Sequence, residues 1–91
     1  MKKSIRLLIN GNLHSMFFEQ FIKENADKLD VRGYMRKQEN GRIEIFLEGN
    51  SDNVNAMAAI CRRGNQHTQI RSVEEKSEKF QDFREFKILK I

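Results

Sequence analysis

The stretch Val31-Arg32-Gly33-Tyr34-Met35-Arg36-Lys37-Gln38-Glu39-Asn40-Gly41-Arg42-Ile43-Glu44-Ile45-Phe46-Leu47-Glu48 decides the fold. At its centre, Asn40-Gly41 is the residue pair that most readily takes the positive backbone angles of a tight hairpin. The runs on either side therefore read as antiparallel strands, over 31–38 and 42–48. On the second run Ile43, Ile45 and Leu47 share one face. A two-residue turn would set Arg36 against that apolar face. A loop of three or five residues sets Met35 there instead. Register follows the buried face, so the longer loop is predicted.

Upstream, Ile5, Leu7 and Ile9 alternate with Arg6, Leu8 and Asn10, which predicts a strand. Gly11 to Phe17 reads as a loop. Phe18, Phe21, Ile22, Asn25, Ala26 and Leu29 then recur at steps of three and four, one face of a helix that Ser15 is placed to cap. Downstream, Gly49-Asn50 ends the third strand, and Ser51 or Asp52 can cap a second helix. Val54, Met57, Ala58 and Cys61 form that helix's buried stripe. Arg62 and Arg63 suit its negative end, and Gly64 its C-cap. A fourth strand is predicted over 68–76, with Ile70 and Val73, and Phe83, Phe86 and Ile88 suggest a final short strand. The order β-α-β-β-α-β with a late extra strand predicts an α+β, ferredoxin-like sandwich. It has one antiparallel sheet of four or five strands with both helices on one face.

The chain has 91 residues, 17 Lys and Arg against 13 Asp and Glu, and a net charge of +4. That is the length of one domain, 1–91. No apolar run approaches the roughly 18 residues of a membrane span. The apolar stretch Leu7-Leu8-Ile9 is too short for a secretory signal. The lone Cys61 can form neither an internal disulfide nor a zinc site by itself, so no metal or other cofactor is expected and a cytoplasmic location is the simplest address. Charges of both signs are interspersed, which argues for a solvated surface and against a nucleic-acid footprint.

Two motifs carry chemistry. Gly11-Asn12-Leu13-His14-Ser15-Met16-Phe17-Phe18-Glu19 follows the first strand, and Gly33-Tyr34-Met35-Arg36-Lys37-Gln38-Glu39-Asn40-Gly41-Arg42-Ile43 spans the hairpin. Glu48-Gly49, Gly64 and Phe86-Lys87-Ile88 stand at matching places further on. Over these residues the chain resembles the acylphosphatase family, which carries G-x-V-Q-G-V-x-F-R, then G-W/Y-V-R-N-x-x-D/N-G-x-V, then E-G, a glycine after the second helix, and a terminal F-x-I. The match is free of gaps from Gly11 to Gly49. The resemblance implies a hydrolase of the carboxyl–phosphate bond of acyl phosphates. In the family, the loop amides and the arginine ending the first motif hold the phosphate, and the asparagine of V-R-N orients the attacking water.

At those two positions this chain carries Glu19 and Lys37. Arginine offers a planar fork of donors, whereas an ionised Glu offers only acceptors and the wrong charge. Two unit charges about 4 Å apart interact by roughly 4 kcal/mol at an effective dielectric near 20, so reversing the sign outweighs a loss of attraction alone. Lysine has donors only and cannot hold a water as an amide does. In the anion-binding loop, Asn12, Leu13, His14, Ser15, Met16 and Phe17, the family glycine is replaced by Ser15, and Phe17 brings bulk beside the would-be cradle. The resemblance therefore implies an impaired or inactive acylphosphatase-like domain, with Glu19 and Lys37 facing each other as an ion pair across the old site. Such a domain would serve as a binding or structural module, with a small phosphorylated or carboxylate ligand at the loop or a protein partner.

The competing expectation is a working acylphosphatase in which Lys37, His14 or a neighbouring arginine such as Arg36 replaces the lost donor. A third is a nucleic-acid-binding module of the same topology. There Glu44 stands where a base-stacking aromatic is needed, and only Phe46 could stack. His14 and His67 read as solvated loop residues, and Cys61 as a buried small hydrophobe.

Overall fold

The alternating apolar run at the start of the chain forms β1 (Lys2–Asn12), followed by α1 (Met16–Lys28), β2 (Arg32–Lys37) and β3 (Ile43–Asn50). The order is completed by α2 (Ser51–Arg63), β4 (Gln69–Ser77) and β5 (Phe86–Leu89). The computed structural model describes residues 1–12, 16–65 and 68–89. The strands form one sheet in the order β4-β1-β3-β2-β5. The first four pair antiparallel, as the ferredoxin-like plan requires, while β5 joins β2 in parallel, so the sheet is mixed. The parallel pairing follows from the connection: residues 78–85 cross the helix-free face from one edge of the sheet to the other.

The hairpin loop has five residues, 38–42, bounded by the pair Lys37↔Ile43. Met35 then pairs with Ile45 on the apolar face, as the register argument predicts. The turn is closed by Gln38 N–H donating to Arg42 O at 2.8 Å and by the Asn40 side chain accepting from Arg42 N–H at 3.0 Å. Gly33 is demanded by the sheet itself. Its φ is +140°, and a Cβ there would lie 1.8 Å from the Phe46 carbonyl oxygen.

One face of the sheet, carrying Ile5, Leu7, Ile9, Met35, Ile43, Ile45 and Leu47, packs with Phe18, Ile22 and Ala26 of α1 and Val54, Met57, Ala58 and Cys61 of α2. Ile70 and Val73 of β4 reach the same core although they are three apart. A bulge allows this: Val73 pairs with Ile9 and Ile70 with Gly11, leaving Arg71 outside the ladder.

Several ends differ from the sequence expectation. The segment read as a loop over 11–17 is shorter, because β1 continues to Asn12 and α1 begins at Met16. Ser15, the expected cap, lies outside the described residues. The cap of α2 is Asn50 rather than Ser51 or Asp52. The Asn50 side-chain Oδ1 accepts from Asp52 N–H at 3.0 Å while its backbone is extended, which puts both expected caps inside the helix. Gly64 does cap its end, donating to Ile60 O. α1 closes with Asp30 at φ +53° and Val31 N–H donating to Ala26 O, the bond that seals a left-handed helix end. Phe83 precedes β5 and lies on the opposite face from Phe86 and Ile88, because Phe83 belongs to the crossing segment.

Candidate functional site

The site is assembled at one end of the sheet. Val73, Ile9, Ile43 and Lys37 form a row across β4, β1, β3 and β2. Adjacent strands lie about 4.8 Å apart, so Lys37 sits roughly 10 Å from Ile9 across the sheet, near the end of β1. Alternation along β2 puts Lys37 on the same face as Gly33 and Met35, the face covered by the helices. α1 begins at the same end, and Glu19 lies half-buried in its first turn. The fold thus brings Asn12, Met16, Phe17, Glu19 and Lys37 to one end of the molecule. Leu13, His14 and Ser15 of the loop, and His67, lie outside the described residues.

A helix N-terminus presents unpaired N–H groups and partial positive charge, the ordinary setting for an anion. Here Glu19 places a carboxylate in that turn. The arrangement suits the helix dipole and opposes a bound phosphate. Both Glu19 and Lys37 are engaged by neighbours. Met16, at the motif's valine position, and Phe17 beside it project into solvent, 81% and 62% exposed.

Arg36 is not available as a substitute donor. One residue from Lys37, it points to the other face of the sheet, where its guanidinium bonds the Glu44 carboxylate and lies over the Tyr34 ring. Glu44, 1% exposed, also accepts from the Tyr34 hydroxyl at 2.7 Å and from Arg6 at 3.4 Å. Burial alone would raise the Glu44 carboxyl, but hydrogen bonds from Tyr34 and Arg36 and the charge of Arg36 outweigh it and hold it below the usual carboxylate range. Burial first, then the bond to Glu44 and its charge, push the Tyr34 hydroxyl up to about 12. Sequence reading considered Glu44 only as a missing aromatic. The available signal was that Glu44, Phe46 and Glu48 alternate with the apolar Ile43, Ile45 and Leu47, marking a second organised face.

Among the described residues no group of three His, Cys, Asp or Glu is arranged to hold a metal ion. Cys61 is buried in the core, and burial raises its thiol to about 12, as expected of a packing residue. No described helix is long and apolar enough to cross a membrane.

A family model described as Acylphosphatase matches residues 5–88. The chain belongs to the acylphosphatase family. It is 31% identical to an acylphosphatase of Syntrophus aciditrophicus over 98% of this chain and 94% of that protein. A second, from Syntrophobacter fumaroxidans, is 32% identical over 96% of this chain and 91% of its own. The crystal structure of acylphosphatase from Bacillus subtilis superposes with a TM-score of 0.89 at 20% identity, covering 99% of this chain and all of that one (100%). An acylphosphatase structure from Coxiella burnetii gives 0.88 at 17% identity, covering 97% and 93%. At those identities the two structures speak for the fold. Family membership accounts for the glycine at 33, the hairpin and the Glu48-Gly49 pair as scaffold.

Proposed function

We propose that this acylphosphatase-family domain is impaired as a hydrolase and acts as a binding or structural module in the cytoplasm. The observation that carries the reading is the pair of residues at the motif positions, Glu19 for the phosphate-clamping arginine and Lys37 for the water-orienting asparagine, on a scaffold otherwise kept. A phosphoryl group needs convergent donors and positive charge. Glu19 supplies the opposite at the helix end, and Arg36 is committed to Glu44 on the far face. The exposed Met16 and Phe17 beside the loop support a protein partner, or a small phosphorylated or carboxylate ligand held by the loop, in place of turnover. Nucleic acid is not the partner this reading favours. Phe46, the one aromatic of β3 that could stack a base, is fully buried.

The alternative, an active acylphosphatase with substitute donors, draws support from the relatives, which are named acylphosphatases. Hydrolysis of benzoyl phosphate separates the two. The wild-type chain is expected to release phosphate at the background rate, and the double variant Glu19→Arg, Lys37→Asn to exceed it by about 100-fold or more. That factor corresponds to roughly 2.7 kcal/mol of restored transition-state stabilisation. A wild-type rate equal to or above that of the double variant overturns the proposal and makes Lys37 the first candidate for the substitute donor.

A further inference from the structure

Residues 78–85 run as a strap across the helix-free face of the sheet, and their anchorage is uneven. Most of the strap is solvated: residues 79–82, 84 and 85 are exposed. Its firm attachments converge on one carboxylate. Glu48 of β3 is fully buried, and its two oxygens accept from the strap backbone, Oε1 from Gln81 N–H at 2.7 Å and Oε2 from Phe83 N–H. Phe83 is the one ring of the strap that enters the face, 5.6 Å from Tyr34 and 5.7 Å from Phe46 between centroids. Phe80, 42% exposed, lies under the Lys2 ammonium at 5.1 Å, and further ties lie near the ends. Glu78 donates its N–H to Ser4 O and pairs with Arg6 at 3.0 Å, and Glu85 O accepts from Gly33 N–H at 3.2 Å.

We propose that this strap is a latched element that opens as a unit while the sheet and helices stay folded, and that Glu48 is the latch. A buried carboxylate is stable only while its acceptors are filled, and here both are filled by the segment it holds. Strap and latch are therefore mutually dependent. Few apolar contacts oppose release beyond the ring of Phe83 and the partly exposed ring of Phe80, the condition under which a segment opens locally below the free energy of global unfolding. Opening uncovers Tyr34 and Phe46. The device is independent of whether the loop site hydrolyses anything.

Lys79 and Arg84 lie in the strap, so limited trypsin digestion of the full chain under native conditions reads its opening. Cleavage tracks the open population when reclosing outpaces cutting. In Glu48→Gln one amide N–H meets an NH2 group where it had an oxygen. Cuts after Lys79 and Arg84 are expected to accelerate roughly 10- to 100-fold, the range set by losing one hydrogen bond to a charged group, with cuts after Arg6 and Lys37 unchanged. Phe83→Ala, a change on the strap itself, is expected to give the same pattern and decides the matter if Glu48→Gln does not fold. Strap cuts at the wild-type rate in the folded variants overturn the proposal. So does acceleration shared equally by Arg6 and Lys37, which would mean global unfolding.

Discussion

Replacing Glu44 by Gln tests the electrostatics of the helix-free face. The wild-type carboxylate is 1% exposed and takes three donors, from Tyr34, Arg36 and Arg6. Gln keeps one carbonyl oxygen and turns an NH2 group toward the remaining donors. Breaking a fully buried pair costs about 3–5 kcal/mol. Here Arg6 and Arg36 remain 35% and 38% exposed and recover water, so the loss is smaller. About 2 kcal/mol is expected, the scale of one hydrogen bond to a charged group. Urea unfolding of both chains at pH 7 measures it. Repeating it in acid isolates the charge. Because the folded carboxyl titrates below its ordinary value near 4.3, its contribution is fully present above that pH and is lost as pH falls through the folded value. The gap between wild type and variant therefore narrows toward pH 3. A gap below about 0.5 kcal/mol at pH 7, the usual scatter of surface changes, would refute the reasoning, as would a gap undiminished in acid. Benzoyl phosphate hydrolysis is expected to be unchanged by this variant, because the released Arg36 still lies on the face away from the loop.

Gly33→Ala meets the Phe46 carbonyl oxygen at 1.8 Å with φ at +140°, so β2 and β3 must separate; a loss of about 3 kcal/mol or more is expected in thermal or urea unfolding, and a loss under about 1 kcal/mol would contradict the geometry. At high pH the sign reverses relative to Glu44. Tyr34 and Cys61 are both raised to about 12, so the stability they lend is present below their unfolded values near 10 and 8.5 and is lost as pH rises toward 12. Urea midpoints measured from pH 8 to 11 are expected to fall steadily, and a flat profile would show that neither group stays protonated in the fold.

Much of this was legible along the chain. Asn40-Gly41 located the hairpin, and the apolar set Ile43, Ile45 and Leu47 chose Met35 over Arg36 as its partner, because a slip of one residue would have buried a guanidinium. The stripe Val54, Met57, Ala58 and Cys61 named the inner face of α2, and all four are buried. The two motif positions, Glu19 and Lys37, were also visible, since they depend on residue identity at fixed spacing. Other features were not legible for physical reasons. Ser51, Asp52 and Asn50 are all competent caps, and which of them serves depends on where β3 releases the chain. Phe83 and Phe86 look alike in composition, yet one packs beneath the sheet and the other inside the core.

By itself the sequence determined the order of elements, the hairpin register and the presence of Glu19 and Lys37 at the two motif positions. These are local matters of periodicity, turn chemistry and side-chain type. Only the tertiary structure decided which charges meet. It sent Arg36 to Glu44 on the helix-free face, away from Lys37. It also turned Glu48 from an expected strand end into the buried latch of a segment more than 30 residues further on (|i−j| 33 and 35). Ion pairs and buried acceptors are formed across strands, between residues with no spacing relationship in the chain, so their partners are fixed by how the sheet and its crossing segment pack.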